Sequence, residues 1–324
     1  MGELGWFGAW SVESFRDVLR RAAPGLSDYA IVLDGPIDTT RSKWAAGSAV
    51  IGGEFLAKFA LSRQTAERLW HEARVLRLLG ELPEFGVPEV VAASRDPVFF
   101  ATRLIAGGVP LSYELVGAAI PGRVDEIGAE LAAFLSNLHR PEILALASDV
   151  VGRPVRAPDP GPQATTHELR TRLIPLIRSD QVDRVYRWCA WVDEMLSCSG
   201  EPVFVHGDFH GYNQLWDQRR FRLRLVADFE TSGAAEAEYD LRVIPALGPG
   251  VDLLIATTAH YARRTGKHLS LDRIMAWHIR TTLGDALWRT EAGLPLLLPR
   301  PGGGTPSDYV DELNDRLDTL RVGP

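Results

Sequence analysis

One stretch constrains what this chain can fold into more than any other. Over residues 203–230 it reads VFVHGDFHGYNQLWD, then a charged turn (Gln218, Arg219, Arg220), then RLRLVADFE. Short apolar runs suited to strands are broken by polar loops rich in Gly, Asp and Asn. The first run ends at His206-Gly207-Asp208 and the last at Asp228. A hairpin of this kind brings loop ends together, so Asp208, Asn213 and Asp228 are each expected to offer an oxygen near one point. Carboxylate and amide oxygens hold hard cations such as Mg²⁺, with phosphate oxygens and water completing the shell. The chemistry implied is a metal-bound polyphosphate meeting a base.

HGDFHGYN has the form H-x-D-x-x-x-x-N, and ADFE supplies an aspartate fifteen residues after the asparagine. These residues resemble the catalytic core of the aminoglycoside phosphotransferase and choline kinase-like family, a branch of the protein kinase fold. The resemblance implies an α+β bilobal architecture. A small N-terminal lobe (1–105) would hold an antiparallel sheet plus a helix and bind nucleotide. A larger, mainly helical C-terminal lobe (106–324) would carry the catalytic loop and acceptor site. It further implies ATP or GTP as donor, Mg²⁺ held by Asn213 and Asp228, and Asp208 accepting the proton of an acceptor hydroxyl. His206 would set the loop, and Asp240, in EYDL, would brace it from below. The backbone of Arg103, Leu104 and Ile105 would meet the purine edge.

The whole chain bounds these expectations. Its 324 residues can bury a full core. A net charge of −7 argues against nucleic acid, which demands a basic face. The N-terminal MGELGWFGAW has neither a basic start nor a long apolar run, and no stretch approaches a membrane span, so a cytoplasmic location is expected. Cys189 and Cys198 are nine apart in a helix-like segment, too far for a bridge.

In the first part of the chain Ser11 caps a short amphipathic helix, VESFRDVLRRAA. Candidate strands follow: YAIVL, GSAVIGG, EFLAKFAL, EVVAAS and VFFATRLI, with Gly52-Gly53 as a hairpin turn. Lys58 stands in the middle of EFLAKFAL, and a strand lysine among apolar neighbours is ordinarily solvent-facing. A partner follows, however. Residues 65–79 form an amphipathic helix with Glu72 beside its apolar stripe, fourteen residues after Lys58. In kinases a strand lysine holds the nucleotide phosphates and is oriented by a helix glutamate; Glu67 is the fallback. The glycine-rich G-x-G-x-x-G loop of protein kinases is missing. In its place stands DTTRSKWAAGS, where Ser42, Arg41 or Lys43 could touch phosphate.

The second part reads as helices at residues 124–139, around HELRTRLIPLIR, at QVDRVYRWCAWVDEML, DLLIATTAHYARRTG and SLDRIMAWHIRTTLGDALWRTEAG, and in a final DYVDELNDRLDTL. The proline-rich run at Pro154–Pro162 reads as a loop, and PRPGGGTPSD as a linker. His139, closing its helix, reads as a packed core histidine. For the acceptor, Glu230, His210 and Glu236 are the candidate contacts, suiting an aminoglycoside-like, amino-sugar or other small alcohol. Two other readings stay open. One is a metallohydrolase using His206, Asp208, His210 and Asp228; two histidines four apart with carboxylates can bind zinc or iron. The other is a kinase-like binding protein without turnover.

Overall fold

The structure, a computed structural model, describes residues 11–33, 46–105, 107–111, 122–151, 164–217, 219–246, 250–296 and 304–324. Ser42 with its neighbours Arg41 and Lys43, the proline-rich run and most of the PRPGGG linker lie outside the described residues. The chain divides into two compact units. The first comprises Met1–Gly108, Ala145–Pro154 and Arg224–Thr231; the second comprises Val109–Leu144, Val155–Leu223 and Ser232–Pro324.

The first unit is built on an antiparallel sheet of order β1-β2-β3-β5-β4, from β1 (Ile31–Leu33), β2 (Ala46–Ile51), β3 (Phe55–Ala60), β4 (Val90–Arg95) and β5 (Val98–Arg103). Gly52 and Gly53 turn β2 into β3 with φ of 61° and 71°, a region that costs glycine little. Strand alternation then sorts β3. Phe55, Ala57 and Phe59 join the core under helix α1 (Val12–Ala22), where Phe15 lies 5.3 Å from the Phe59 ring. Lys58, out of phase with them, takes the other face, opposite Ser48 of β2 and Phe100 of β5. Gly47 has to be a glycine, because a Cβ there would lie 1.7 Å from the Phe59 ring.

That other face meets helix α2 (Arg63–Gly80), capped by Ser62, whose hydroxyl accepts from the Thr65 amide. Thr65, Leu69, Glu72, Leu76 and Leu79 are buried at helical spacing, so Glu72 lies within the apolar stripe. Residues 224–231 also belong to this unit. The Val226 amide donates to the Gly86 carbonyl at 2.9 Å, and a Cβ on Gly86 would meet the Arg224 carbonyl oxygen at 2.2 Å. The backbone therefore approaches closely enough to fix where Asp228 emerges.

The second unit is mainly helical: α3 (Val124–Leu138), α4 (Val182–Met195), α5 (Val251–Thr265), α6 (Leu271–Glu291) and α7 (Pro306–Leu320). Helices α3 and α5 pack closely at Gly128, where a Cβ would fall 2.8 Å from the Ala256 methyl. The segment HELRTRLIPLIR is not one α-helix. A single turn at Thr166–Glu168 passes into a π-helical stretch, Leu169–Leu173, and a 3₁₀ turn, Ile174–Leu176, because Pro175 cannot supply the amide that α-helix needs. After β6 (Gly108–Pro110) in the chain, strand β7 (Val203–Val205) pairs antiparallel with β10 (Gly233–Ala235), while β8 (Gln214–Asp217) is followed by β9 (Arg222–Val226). Both cysteines are free, Cys189 buried and Cys198 exposed. Among the described residues no helix is long and apolar enough to cross a membrane.

Candidate active site

Within the first unit the strand lysine meets its partners. Lys58 Nζ donates to both carboxylate oxygens of Glu72 at 3.1 Å and to Asp228 Oδ1 at 2.7 Å. Glu67 instead pairs with Arg63 on the solvent side of α2. Burial alone would disfavour charge on Lys58, but the Glu72 and Asp228 carboxylates reverse that and hold its pKa above the ordinary lysine range. Glu72, only 1% exposed, is pushed up to about 7 by burial, although Lys58 pulls the other way. Asp228 adopts a left-handed backbone, φ 68°, uncommon for a residue with a side chain and tolerated best by Asp and Asn.

Glu230 extends this group. Its carboxylate lies 3.7 Å from the Arg68 guanidinium, and oxygens of Glu72, Asp228 and Glu230 all lie within 4.8 Å of one another. This is the one such group of metal-ligating side chains among the described residues, and it contains neither His206 nor His210. Three hard oxygen donors beside a lysine suit a divalent cation with phosphate better than zinc.

The residues expected at the purine edge are partly committed to the sheet. The Arg103 amide donates to the Glu89 carbonyl at 2.9 Å and the Leu104 amide to the Glu54 carbonyl at 2.8 Å. Of the three, only the Ile105 amide has no partner among the described residues. The Arg103 side chain points away to Glu89 and over the Phe55 ring.

In the second unit the catalytic-loop sequence forms a compact knot of hydrogen bonds. The Asn213 amide nitrogen donates to the Asp208 backbone carbonyl at 2.9 Å and, more weakly, to its carboxylate at 3.4 Å. His210 Nδ1 accepts from the Tyr212 amide at 3.1 Å, so the ring proton is on Nε2, which faces Asp208 Oδ2 at 3.3 Å. His206 is wholly buried, and its Nδ1 accepts from the Asp208 amide at 3.1 Å, which withdraws that nitrogen from any metal. The Asp208 carboxylate remains 40% exposed. Burial opposes its charge, but His210, Arg242 and His206 outweigh this and hold its carboxyl down at about 2.

The loop is clamped from behind. The Asp240 carboxylate, fully buried, accepts from the His206 and Gly207 amides at 2.8 Å each and from His139 Nε2 at 3.1 Å. Burial works against this charge, yet His139, His206 and the Gly207 amide keep the Asp240 pKa below its ordinary value. Two contributors had no sequence signal. Arg242, buried, donates to the Gly207 carbonyl at 2.7 Å, and Tyr261 OH lies 3.2 Å from His139 Nδ1. Their partners are distant in the chain, so no local pattern marks them. Glu236, expected to face an acceptor, is instead buried. It accepts from Trp277 Nε1, the Gly200 amide and the Arg273 guanidinium, so its oxygens are spent on packing.

Asp208, His210 and Tyr212 border a pocket of about 380 Å³ in this unit. Its remaining acids are neutralised one turn away on their own helices: Asp285 by Arg289 at 2.8 Å and Glu312 by Arg316 at 2.9 Å.

The sequence profile of the phosphotransferase enzyme family matches residues 37–286. The chain belongs to this family. It is a phosphotransferase, an enzyme that moves a phosphoryl group to a hydroxyl of a small molecule. Among curated proteins, no sequence relative matches. Solved structures do. The GDP complex of an aminoglycoside 2'-phosphotransferase-IIIa superposes with a TM-score of 0.69 at 16% identity, covering 96% of this chain and 98% of that one. A macrolide 2'-phosphotransferase from Brachybacterium faecium gives 0.56 at 19% identity, with 87% and 93% covered. A choline/ethanolamine kinase family protein from Mesorhizobium loti gives 0.59 at 16%, with 95% and 93% covered. The phosphotransferase has the α+β kinase-like fold of these structures, with an antiparallel sheet in a small lobe.

Proposed function

We propose that this phosphotransferase moves the γ-phosphoryl group of a purine nucleoside triphosphate to a hydroxyl of a small, weakly charged acceptor seated against Asp208. The observation that carries the reading is the Lys58 ammonium lodged between Glu72 and Asp228. That arrangement gives a half-buried, permanently charged cation with a rigid tether, which is what polyphosphate binding in kinases requires. The structural neighbours include complexes with GDP, with ADP and with ATP, which supports a nucleotide donor.

In this reading Lys58, oriented by Glu72, neutralises the phosphates, and the Ile105 amide hydrogen-bonds the purine edge. Asp228 would help to hold Mg²⁺, which when bound supplies charge neutralisation to the phosphates. Asp208 hydrogen-bonds the acceptor hydroxyl and aims it. The acceptor oxygen bonds to the γ-phosphorus as the bond from that phosphorus to the bridging oxygen breaks. The hydroxyl proton passes to the Asp208 carboxylate, and the nucleoside diphosphate leaves. With its carboxyl held at about 2, Asp208 is a weak base. Its main contribution is therefore orientation, with the proton moving late, as suits a loose transition state.

The acceptor's charge is argued from the pocket at Asp208. A polyamine such as an aminoglycoside needs several uncommitted carboxylates, and Asp285 and Glu312 are already paired with arginines. Tyr212, 66% exposed beside His210, offers an aromatic face to a ring. These features support a hydroxylated compound with few amines. The test is nucleotide-dependent phosphorylation of aminoglycosides, amino sugars, macrolides, choline and ethanolamine, with Asp208→Asn as control. Turnover of a polycationic aminoglycoside above all neutral acceptors would overturn the charge argument. Full activity in Asp208→Asn would overturn the mechanism.

A further inference from the structure

The second unit holds a larger pocket, about 800 Å³, that takes no part in the chemistry above. Its charge is opposite to that of the chain. Four cations line it (Arg140, Arg264, Lys267 and Arg273) with two carboxylates, Glu201 and Glu238, in a protein of net charge −7, and Arg273 is already paired with Glu236. Lys267 is paired with Glu201 at 2.9 Å. Arg264 is different. Its Nε donates to Ser136 Oγ at 2.8 Å, which fixes the guanidinium, while its two terminal nitrogens have no partner among the described residues. His268, exposed on the same wall, likewise has none among them. A guanidinium held by one nitrogen with its fork presented to an open pocket is suited to bidentate binding of an oxyanion.

The position of the pocket gives binding a consequence. His139 and Tyr261 both belong to its lining, and both are buried side chains with polar atoms already engaged. Tyr261 OH is bonded to His139 Nδ1, His139 Nε2 to Asp240, and Asp240 to the amides of His206 and Gly207. Two hydrogen bonds thus separate the pocket wall from the carboxylate that holds the backbone just before Asp208.

We propose that this pocket is an effector site for a small organic anion bearing phosphate or carboxylate, and that occupancy tightens the Asp240 clamp on the catalytic loop. The volume fits a molecule of metabolite size. Arg264 and Arg140 bind the anionic group, and the body of the ligand packs on the wall formed by His139 and Tyr261. The nucleotide site also attracts phosphate, so the test separates the two. Titration calorimetry of the full chain, without nucleotide or divalent metal and in 0.1 M salt, uses a hexose 6-phosphate and citrate as probes for the two anion types. At least one binds wild type and Lys58→Met with equal affinity, and binds the double variant Arg140→Glu, Arg264→Glu at least tenfold more weakly. On binding, hydrogen exchange slows at the His206 and Gly207 amides in wild type and not in the double variant. The double variant keeps the circular dichroism of wild type, since both substituted arginines are exposed. Failure of both probes to bind at millimolar concentration overturns the proposal, as does binding lost in Lys58→Met but kept in the double variant. Binding without a change at the two amides overturns the coupling.

Discussion

His278 is expected to make the second unit acid-labile, by an amount that can be worked out. The imidazole is 1% exposed on α6; Nδ1–H donates to the Arg242 carbonyl at 2.7 Å, and Nε2 accepts from Arg316 Nη1 at 3.1 Å. Burial, then the Arg316 guanidinium, push its pKa down to about 3 from an ordinary 6.5. Above pH 6.5 folded and unfolded chains both carry a neutral ring here. Below it the unfolded chain takes up a proton that the folded one refuses, so stability present at neutral pH is lost as the pH falls towards 3. Linkage puts the loss between pH 7 and pH 5 at about 2 kcal/mol for this one group. In His278→Asn the titration is gone, although the smaller side chain costs about 1–2 kcal/mol at every pH. Urea denaturation at pH 7 and pH 5, followed by far-ultraviolet circular dichroism, therefore gives a pH-dependent loss about 2 kcal/mol larger in wild type than in the variant. All other carboxylates and histidines cancel in that difference. Equal losses would refute the assignment of a neutral, proton-refusing ring.

Asp208→Asn keeps the hydrogen bond from Asn213 to the backbone but removes the proton acceptor; turnover should fall about 10²–10⁴-fold while nucleotide affinity, measured by calorimetry, stays within a factor of three or so. Lys58→Met should lower that affinity at least tenfold and leave Glu72 buried beside Asp228 and Glu230, visible as weaker stability at pH 8 than at pH 6 because Glu72 then has to ionise unpaired. Asp240→Ala strands two buried amides of the catalytic loop and should cost about 3 kcal/mol of stability in urea titrations. Gly86→Ala drives a methyl against the Arg224 carbonyl, and should cost about 2 kcal/mol while raising the nucleotide KM through Asp228.

Periodicity made much of this readable before any coordinates. Alternation along EFLAKFAL sets Lys58 against the face of Phe55, Ala57 and Phe59, and helical spacing from Thr65 to Leu79 turns Glu72 to the same side; both are local rules acting on long, regular segments. Strand β10 was missed because Gly233–Ala235 has no β-branched or aromatic residue, and only pairing with Val203–Val205 makes it a strand. By sequence alone Glu236 reads as an acceptor contact because it stands close to Glu230. Its real partners, Arg273 and Trp277, come from α6, 37 and 41 residues on, and a burial decided by so distant a contact leaves no trace in local composition. Arg242 escaped for the same reason.

Those long-range partners account for how a carboxylate as acidic as Asp208 stays half open to solvent and still holds an aim. His210 and Asn213 touch its carboxylate only at 3.3 and 3.4 Å, and the backbone beneath it is held more firmly. Asp240 takes the two amides before it, Arg242 donates to the carbonyl of Gly207, and the carbonyl of Arg242 receives the His278 proton, which Arg316 keeps on Nδ1 by occupying Nε2. Each link requires one protonation state: Asp240 anionic, His278 neutral. Protonating His278 would set a second cation against Arg316 and release that contact. Acidification that reaches the folded-state value of His278, about 3, should therefore loosen the loop. Activity, assayed while the chain is still folded, should fall as the pH approaches about 3, where the folded ring takes its proton, and His278→Asn should flatten that limb of the profile. An acid limb unchanged in the variant would mean that the loop is held without this chain.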